Sequence, residues 1–559
     1  MTNKPIIPFL VVLIVTYVIL MTSSMELRAQ DKLEPADEGE IKDVQVEILK
    51  DRKVSVPPAQ RAFKKIPPQP FQHIIPPVDY NITNFKVSTG EYIPKIRILK
   101  IKNEEIDKLY GNYLSAGFGN YASYFGEGSF SSKRSKNRLL GVHGYTRAFV
   151  NGPVDGKNSG ASNTDINLFG KRMGSVCTIV GRGNWNYRSA NFYGYRPQPP
   201  PADKNAIRQT YNEFNVNGMI YNSVNGDFNF NAQLNYTLIM DRYSAYEGDA
   251  FVKFNSDIAI NETSKVLILA DYSFMNRKDV SIPEFNRHLI RLNSGYYFSP
   301  IDKINVLAGF NIAVVDDKYD KSKKVHFYPE IKVNADINAS LRVFFEVTGN
   351  IDKVNLQTIA NENIWVDTNA KILNTNRALE IIGGFKGKIG SKTSLKTGMS
   401  YTKFNQLYFY NLTDQNKFNL IYDGNTKRTN PYVSITYSLN QIGEFILRGD
   451  YYFYNAKDLT NVWHRPAYRL TLDAKYFFYK KILLTSSFVA QGGIKALNKD
   501  NETVNLNTAL DLNIKGRYFL SSKTSFFLEL NNIFNNKYQI FLGYPVRGFQ
   551  ITGGFSWSF

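Results

Sequence analysis

Arg182, Asn184, Asn186 and Arg188 recur at every second residue, so on an extended strand all four project from one side. Cys177, Ile179, Trp185 and Tyr187 take the other side. Lys515 and Arg517 repeat this spacing, and Asn229, Asn231, Gln233 and Asn235 form a third polar row. If such rows line a water-filled interior, the cations give it a basic surface that favours anions. The competing reading is that they hydrogen-bond across the interior or anchor another part of the chain. Arg182, Asn184, Arg188, Asn229, Gln233, Lys515 and Arg517 are therefore the candidate lumen-facing residues.

Other chemistry finds little support. His73, His143, His288, His326 and His464 are scattered without metal-ligand spacing, which favours structural or solvated roles. His143 falls in a strand with no serine motif beside it, and His464 in an external loop, so no catalytic residue is assigned. No glycine-rich phosphate loop follows a strand. Gly117, Gly119, Gly126 and Gly128 read instead as glycines that relieve crowding in a barrel. No cofactor is implied. Cys177 is the only cysteine, so no internal disulfide forms, and its parity gives it a packing role.

The elements that must position these rows are alternating strands. Phe228, Phe230, Ala232, Leu234, Tyr236, Leu238 and Met240 lie opposite Asn229, Asn231, Gln233, Asn235 and Thr237. Val504, Leu506, Leu510, Leu512 and Ile514 are set against Asn505, Asn507, Asp511, Asn513, Lys515 and Arg517. At the end of the chain, Phe549, Ile551, Gly553, Phe555, Trp557 and Phe559 alternate with Gln550, Thr552, Gly554, Ser556 and Ser558. The polar faces are rich in Asn, Gln, Thr and Arg, which suits an enclosed lumen better than a solvated surface. Aromatic residues make up 14%, with 36 Tyr and 39 Phe, yet mean hydropathy is −0.31. After the N-terminus no apolar run reaches the ~18 residues that a membrane helix needs. The pattern predicts an all-β transmembrane antiparallel barrel with an irregular Pro-rich N-terminal extension.

Residues 1–30 read as a signal peptide, with Lys4 ahead of an apolar stretch from Ile6 to Met21. Residues 31–108 carry Pro57, Pro58, Pro67, Pro68, Pro70, Pro76 and Pro77. They read as a periplasmic or lumenal extension without its own core. The barrel occupies 109–559. Short turns alternate with longer links, counted back from a periplasmic C-terminus, and the tally is about 22 strands if 405–429 is one external excursion. The net charge of +19 raises nucleic acid as a partner. Its place in turns and on inward faces points instead to lipopolysaccharide phosphates and acidic solutes, so nucleic acid is excluded.

The segment Leu530-Asn531-Asn532-Ile533-Phe534-Asn535-Asn536-Lys537-Tyr538, followed by Tyr544-Pro545-Val546-Arg547-Gly548-Phe549 and a terminal Phe559, resembles the ending of TonB-dependent receptors. Arg547-Gly548 stands where that family has Gly-Arg. The resemblance covers the barrel and implies its architecture in the Gram-negative outer membrane. The Ala29-Gln30-Asp31 cut and the abundant Asn, Lys, Tyr and Phe are similar to plug-lacking relatives in the Bacteroidota. The family places a globular plug before the barrel, whereas only the proline-rich 31–108 precedes it here, without an apparent energy-coupling box. TonB-driven uptake is therefore not carried over.

A lumen of about 22 strands is too wide for wall side chains to fill. The extension, infolded external loops or another protein must occupy it. Two functions follow: a barrel that passes or gates solutes or polypeptides, or a non-transporting accessory subunit of a secretion or assembly complex. The second requires a periplasmic or outer-membrane protein partner.

Overall fold

The computed structural model describes residues 110–559, apart from 133–134, 196–197, 201–202, 321–322 and 441. The expected signal peptide and the extension 31–108 lie outside the described residues. Within them, 23 segments form one sheet. Gly443–Tyr451 and Phe453–Asn455 both pair with Thr426–Leu439 and are one wall strand interrupted at Tyr452. The wall is thus a closed antiparallel barrel of 22 strands.

Closure depends on the two ends of the sheet. Asn112–Gly119 pairs with Gln550–Ser558, in register from Tyr113 opposite Ser558 to Gly119 opposite Thr552. The backbones of Asn112 and Phe559 exchange hydrogen bonds at 3.2 and 3.0 Å. Along the last strand Ile551, Phe555 and Trp557 are exposed, whereas Thr552 and Ser556 are buried. Exposed apolar side chains repeat around the outside, with Val216, Leu234, Val252 and Tyr272 on successive strands. Removing such a band from water is what makes a barrel of this kind favourable in lipid.

Crowding at the seam explains two of the glycines. Gly117 lies opposite Gly554, and the Phe527 ring fills the space above both. A Cβ on Gly554 would stand 2.2 Å from the Ala116 carbonyl and 2.5 Å from that ring. Gly119 is equally tight, 2.1 Å from the Ile551 carbonyl. Gly126 and Gly128 differ: their nearest neighbours would lie at 3.4 and 3.2 Å, so the expectation that all four relieve crowding holds only for Gly117 and Gly119.

The links are unequal at the two ends. At one end 174–176, 262–263, 302–303 and 339–340 are short. At the other, 353–374, 493–508 and 532–549 are long. The excursion between Thr393–Asn405 and Thr426–Leu439 contains a hairpin of its own, Leu407–Leu412 paired with Phe418–Asp423. The alternation read through Val504 and Leu506 into Leu510 is not one strand. Thr503–Asn505 pairs with Lys495–Leu497 in a loop hairpin, and the wall strand starts at Ala509.

Replacing Gly554 by valine is expected to block seam closure. The check is the heat-modifiable mobility shift of a folded barrel in cold SDS gels: Gly554→Val should lose the compact band, and Gly126→Ala should keep it.

Candidate functional site

The segment 353–374, between Leu341–Asp352 and Thr375–Ile389, crosses the barrel interior as a strap. It holds a short helix, Leu356–Glu362, capped where Asn355 Oδ1 accepts the Thr358 amide at 2.9 Å. Leu356, Ile359 and Ala360 sit at helical spacing and are buried. Its polar partners belong to strands far around the wall. Arg188 Nη1 donates to the Ala360 carbonyl at 3.0 Å, and Glu213 accepts from Gln357. Glu247 accepts the Leu356 amide at 2.8 Å, while Asp249 accepts Lys353 Nζ at 2.6 Å and Asn355 Nδ2 at 3.0 Å. From another loop, Arg465 pairs with Glu362 at 2.6 Å. A segment that touches so wide an arc of a closed cylinder can lie only inside it.

Arg287 is the strongest of these anchors. Its Nε meets Asp317 Oδ2 at 2.6 Å, Nη1 donates to the Val354 carbonyl at 3.0 Å, and Nη2 to Asn374 Oδ1 at 3.1 Å. One guanidinium therefore holds both ends of the strap, and it is 0% exposed. A buried cation is tolerable only when its donors are met in this way. Arg291 adds a bond to the Ile351 carbonyl at 3.0 Å while paired with Asp271 at 2.8 Å.

Above the strap, aromatic side chains from several long links meet. Trp365 stacks on Tyr544 with centroids 4.3 Å apart, and Tyr193 lies 5.0 Å from Tyr544. Phe541 packs on Tyr410 at 5.3 Å and on Phe418 at 5.4 Å. Phe418 and Ile359 are both 0% exposed. Such contacts contribute about 0.5–1.5 kcal/mol per aromatic pair beyond area burial, so the links form a core rather than a loose fringe. Burial holds the Tyr544 phenol well above its usual pKa. His464, expected in an external loop, is in that loop but buried, with its ring 5.3 Å from Phe418. Its Nδ1 donates to the Ile540 carbonyl at 3.0 Å, and burial lowers its pKa to about 4.

The seven lumen-facing candidates share the polar faces but do not converge. Arg188 reaches the lid and stands 3.8 Å from Glu213. Asn184 donates to Asp165 at 2.8 Å and Asn167 at 2.7 Å. Asn229 bonds Asp257 at 3.2 Å, near the short-turn end. Gln233 is half-buried opposite Lys253. Lys515 pairs with Glu529 at 3.4 Å, and Glu529 also takes Arg147 bidentately at 2.9 and 3.0 Å. Of the four cationic candidates, Arg188 and Lys515 meet a carboxylate, whereas Arg182, exposed, and Arg517, half-buried, have no ion pair among the described residues. The interior is thus in part a paired network and not a uniformly open basic lining. Sequence reasoning missed the strap itself, whose 356, 359 and 360 spacing was its one signal. No group of three or more His, Cys, Asp or Glu side chains among the described residues is placed to hold a metal ion.

No family model matches the chain, and no curated protein matches it by sequence. Solved structures do match its backbone. The FrpB iron transporter from Neisseria meningitidis aligns at TM-score 0.64 and 12% identity, over 81% of this chain and 82% of that one. The ferric-catecholate import receptor Fiu from E. coli K12 aligns at 0.61 and 8%, over 81% and 82%. The ferripyoverdine receptor of the outer membrane of Pseudomonas aeruginosa aligns at 0.61 and 10%, over 82% and 72%. The chain has the barrel fold of TonB-dependent receptors. Its apolar outer band places this barrel in the outer membrane.

Two outcomes test the lid. Arg287→Ala leaves Asp317 buried without its partner and should loosen the strap by about 3–5 kcal/mol; trypsin should then cut within 353–374 in the folded barrel. His464 gives a pH dependence. A loosened lid takes up its proton near the usual imidazole value of 6.5 and the closed lid only near 4, so closure weakens as pH falls across that window and levels off below it. The full effect is on the order of 3 kcal/mol. The same protease assay from pH 7 to pH 4 should show it, and His464→Gln should not.

Proposed function

We propose that this protein is an outer-membrane barrel without a separate plug, in which infolded links do the gating and solutes or polypeptides pass through the lumen. The observation that supports this is the strap 353–374 pinned across the interior by Arg287, Glu247 and Asp249. A lid fastened at both ends of one segment opens by releasing a few polar contacts, and the wall need not deform. Residues 1–30 direct export, and 31–108 sit in the periplasm or inside the barrel. Outside the wall, the contacts are lipid and lipopolysaccharide. A chain of the plug-lacking, Bacteroidota type fits this arrangement.

A second reading makes the barrel a non-transporting accessory subunit. It is favoured by the depth of the lid core, where Phe418 and Ile359 are entirely buried. Planar-bilayer recording separates the two. For a gated passage the full chain should be silent or flicker, and Phe418→Ala should give stable large openings. Silence in both, with a stoichiometric partner co-purifying, supports the accessory reading. Deleting 31–100 without a rise in conductance would show that the extension is not the stopper.

A further inference from the structure

Three cations border one depression at the long-link end of the wall, and no carboxylate lines it. Lys157 comes from the link between Arg138–Phe149 and Ala161–Met173. Lys204 comes from the link after Cys177–Asn191, and Arg208 opens the strand Arg208–Asn222. The depression measures about 200 Å³, below the ~300–1,000 Å³ of pockets that enclose a whole small ligand. It suits one small anionic group.

Its setting is the lipid side of the wall. Ser162 and Ser189 line it and lie opposite each other. By strand alternation Ser162 shares the face of Ile166 and Leu168, and Ser189 that of Ile179, Trp185 and Tyr187. Ile166, Leu168 and Ile179 are exposed. Arg208 lies along this face, its Nε donating to Ser189 Oγ at 3.1 Å and its Nη2 to the Tyr187 hydroxyl at 2.8 Å. Both acceptors are neutral, so the guanidinium is oriented while its charge is left unmatched. Its Nη1 has no protein partner among the described residues, and it carries two further donor hydrogens. Lys157 and Lys204 are exposed and have no ion pair among the described residues. The Lys157 carbonyl accepts from Asn191 Nδ2 at 3.4 Å, which fastens its link to the wall. Ala148 and Val150 give the depression an apolar edge.

Three unmatched cations select for charge. A phosphate monoester carries about −1.5 to −2 charges, against about −1 for the diester of an ordinary phospholipid. We propose that this depression binds a monoester phosphate of the outer-leaflet glycolipid, lipopolysaccharide, whose acyl chains then follow the apolar band past Trp185. The proposal deepens the reading that lipopolysaccharide touches the outer wall, and it is independent of how the lumen is gated.

The probe is diphosphoryl lipid A added to the folded full chain in detergent, with bound copies per chain read by native mass spectrometry. Lipid A stripped of its phosphates, phosphatidylglycerol and inorganic phosphate are the comparison ligands. One lipid A per chain should be retained, about tenfold or more tighter than either comparison lipid, and millimolar inorganic phosphate should not displace it. Lys157→Gln combined with Lys204→Gln should remove this preference, and because both side chains are exposed the barrel should still assemble. Lys403→Gln combined with Lys427→Gln should keep it, since those lysines lie opposite each other at another place on the same rim. Equal retention of lipid A with and without its phosphates, equal retention of phosphatidylglycerol, displacement by millimolar phosphate, or equal loss in both double variants overturns the proposal. Lipid A held at full strength by the Lys157→Gln and Lys204→Gln variant leaves lipopolysaccharide on the outer wall and removes this site. Conductance through Phe418→Ala barrels reads passage alone, so failure of gating and failure of lipid A binding remain distinguishable.

Discussion

Everything inside this barrel depends on a cation that has no water. Arg287 sits in the wall with each of its donor groups engaged, by Asp317, the Val354 carbonyl and Asn374. An uncompensated guanidinium there would cost several kcal/mol, so the strap and the arginine require each other. The dependence extends outward. The strap carries Trp365 and Ile359 into the aromatic cluster, and that cluster draws in the links ending at Tyr193, Phe418, His464 and Tyr544. Polar anchoring below and apolar packing above are thus two halves of one closure.

This arrangement answers the geometric problem that a wide barrel poses. A wall of 22 strands cannot fill its own interior with strand side chains. Here the long links turn inward and build a second core at one mouth, with buried acids on the wall receiving the strap's backbone and side-chain donors. Lys515 and Arg147 share Glu529, and Arg188 lies near Glu213, so part of the lumen's positive charge is offset by wall carboxylates. Arg547 is the exception within the lid, held on the Phe149 ring with the neutral Gln550 amide as its side-chain hydrogen-bond acceptor and no paired carboxylate among the described residues.

The wall was legible because strand parity is a local signal. A polar row such as Asn229 to Thr237 needs only its neighbours to be recognised, and the short turns fix the count. The lid was not legible for the opposite reason. Its contacts join Arg188 to Ala360, 172 residues apart, and Tyr193 to Tyr544, farther still, and no periodicity announces them. Leu506 shows the limit at one position: its parity fits the following strand, yet a loop hairpin takes it. His464 shows another, since a histidine between Trp463 and Arg465 reads as solvated until Phe418 and Phe541 are seen to enclose it.

The most direct test is hydrogen–deuterium exchange on the full chain in lipid nanodiscs, read at the amides of Leu356–Glu362. A strap held inside the barrel should show these amides protected as strongly as the adjoining wall strands. Exchange at the rate of an unstructured peptide, in a barrel whose strands remain protected, would contradict the claim that this segment closes the lumen.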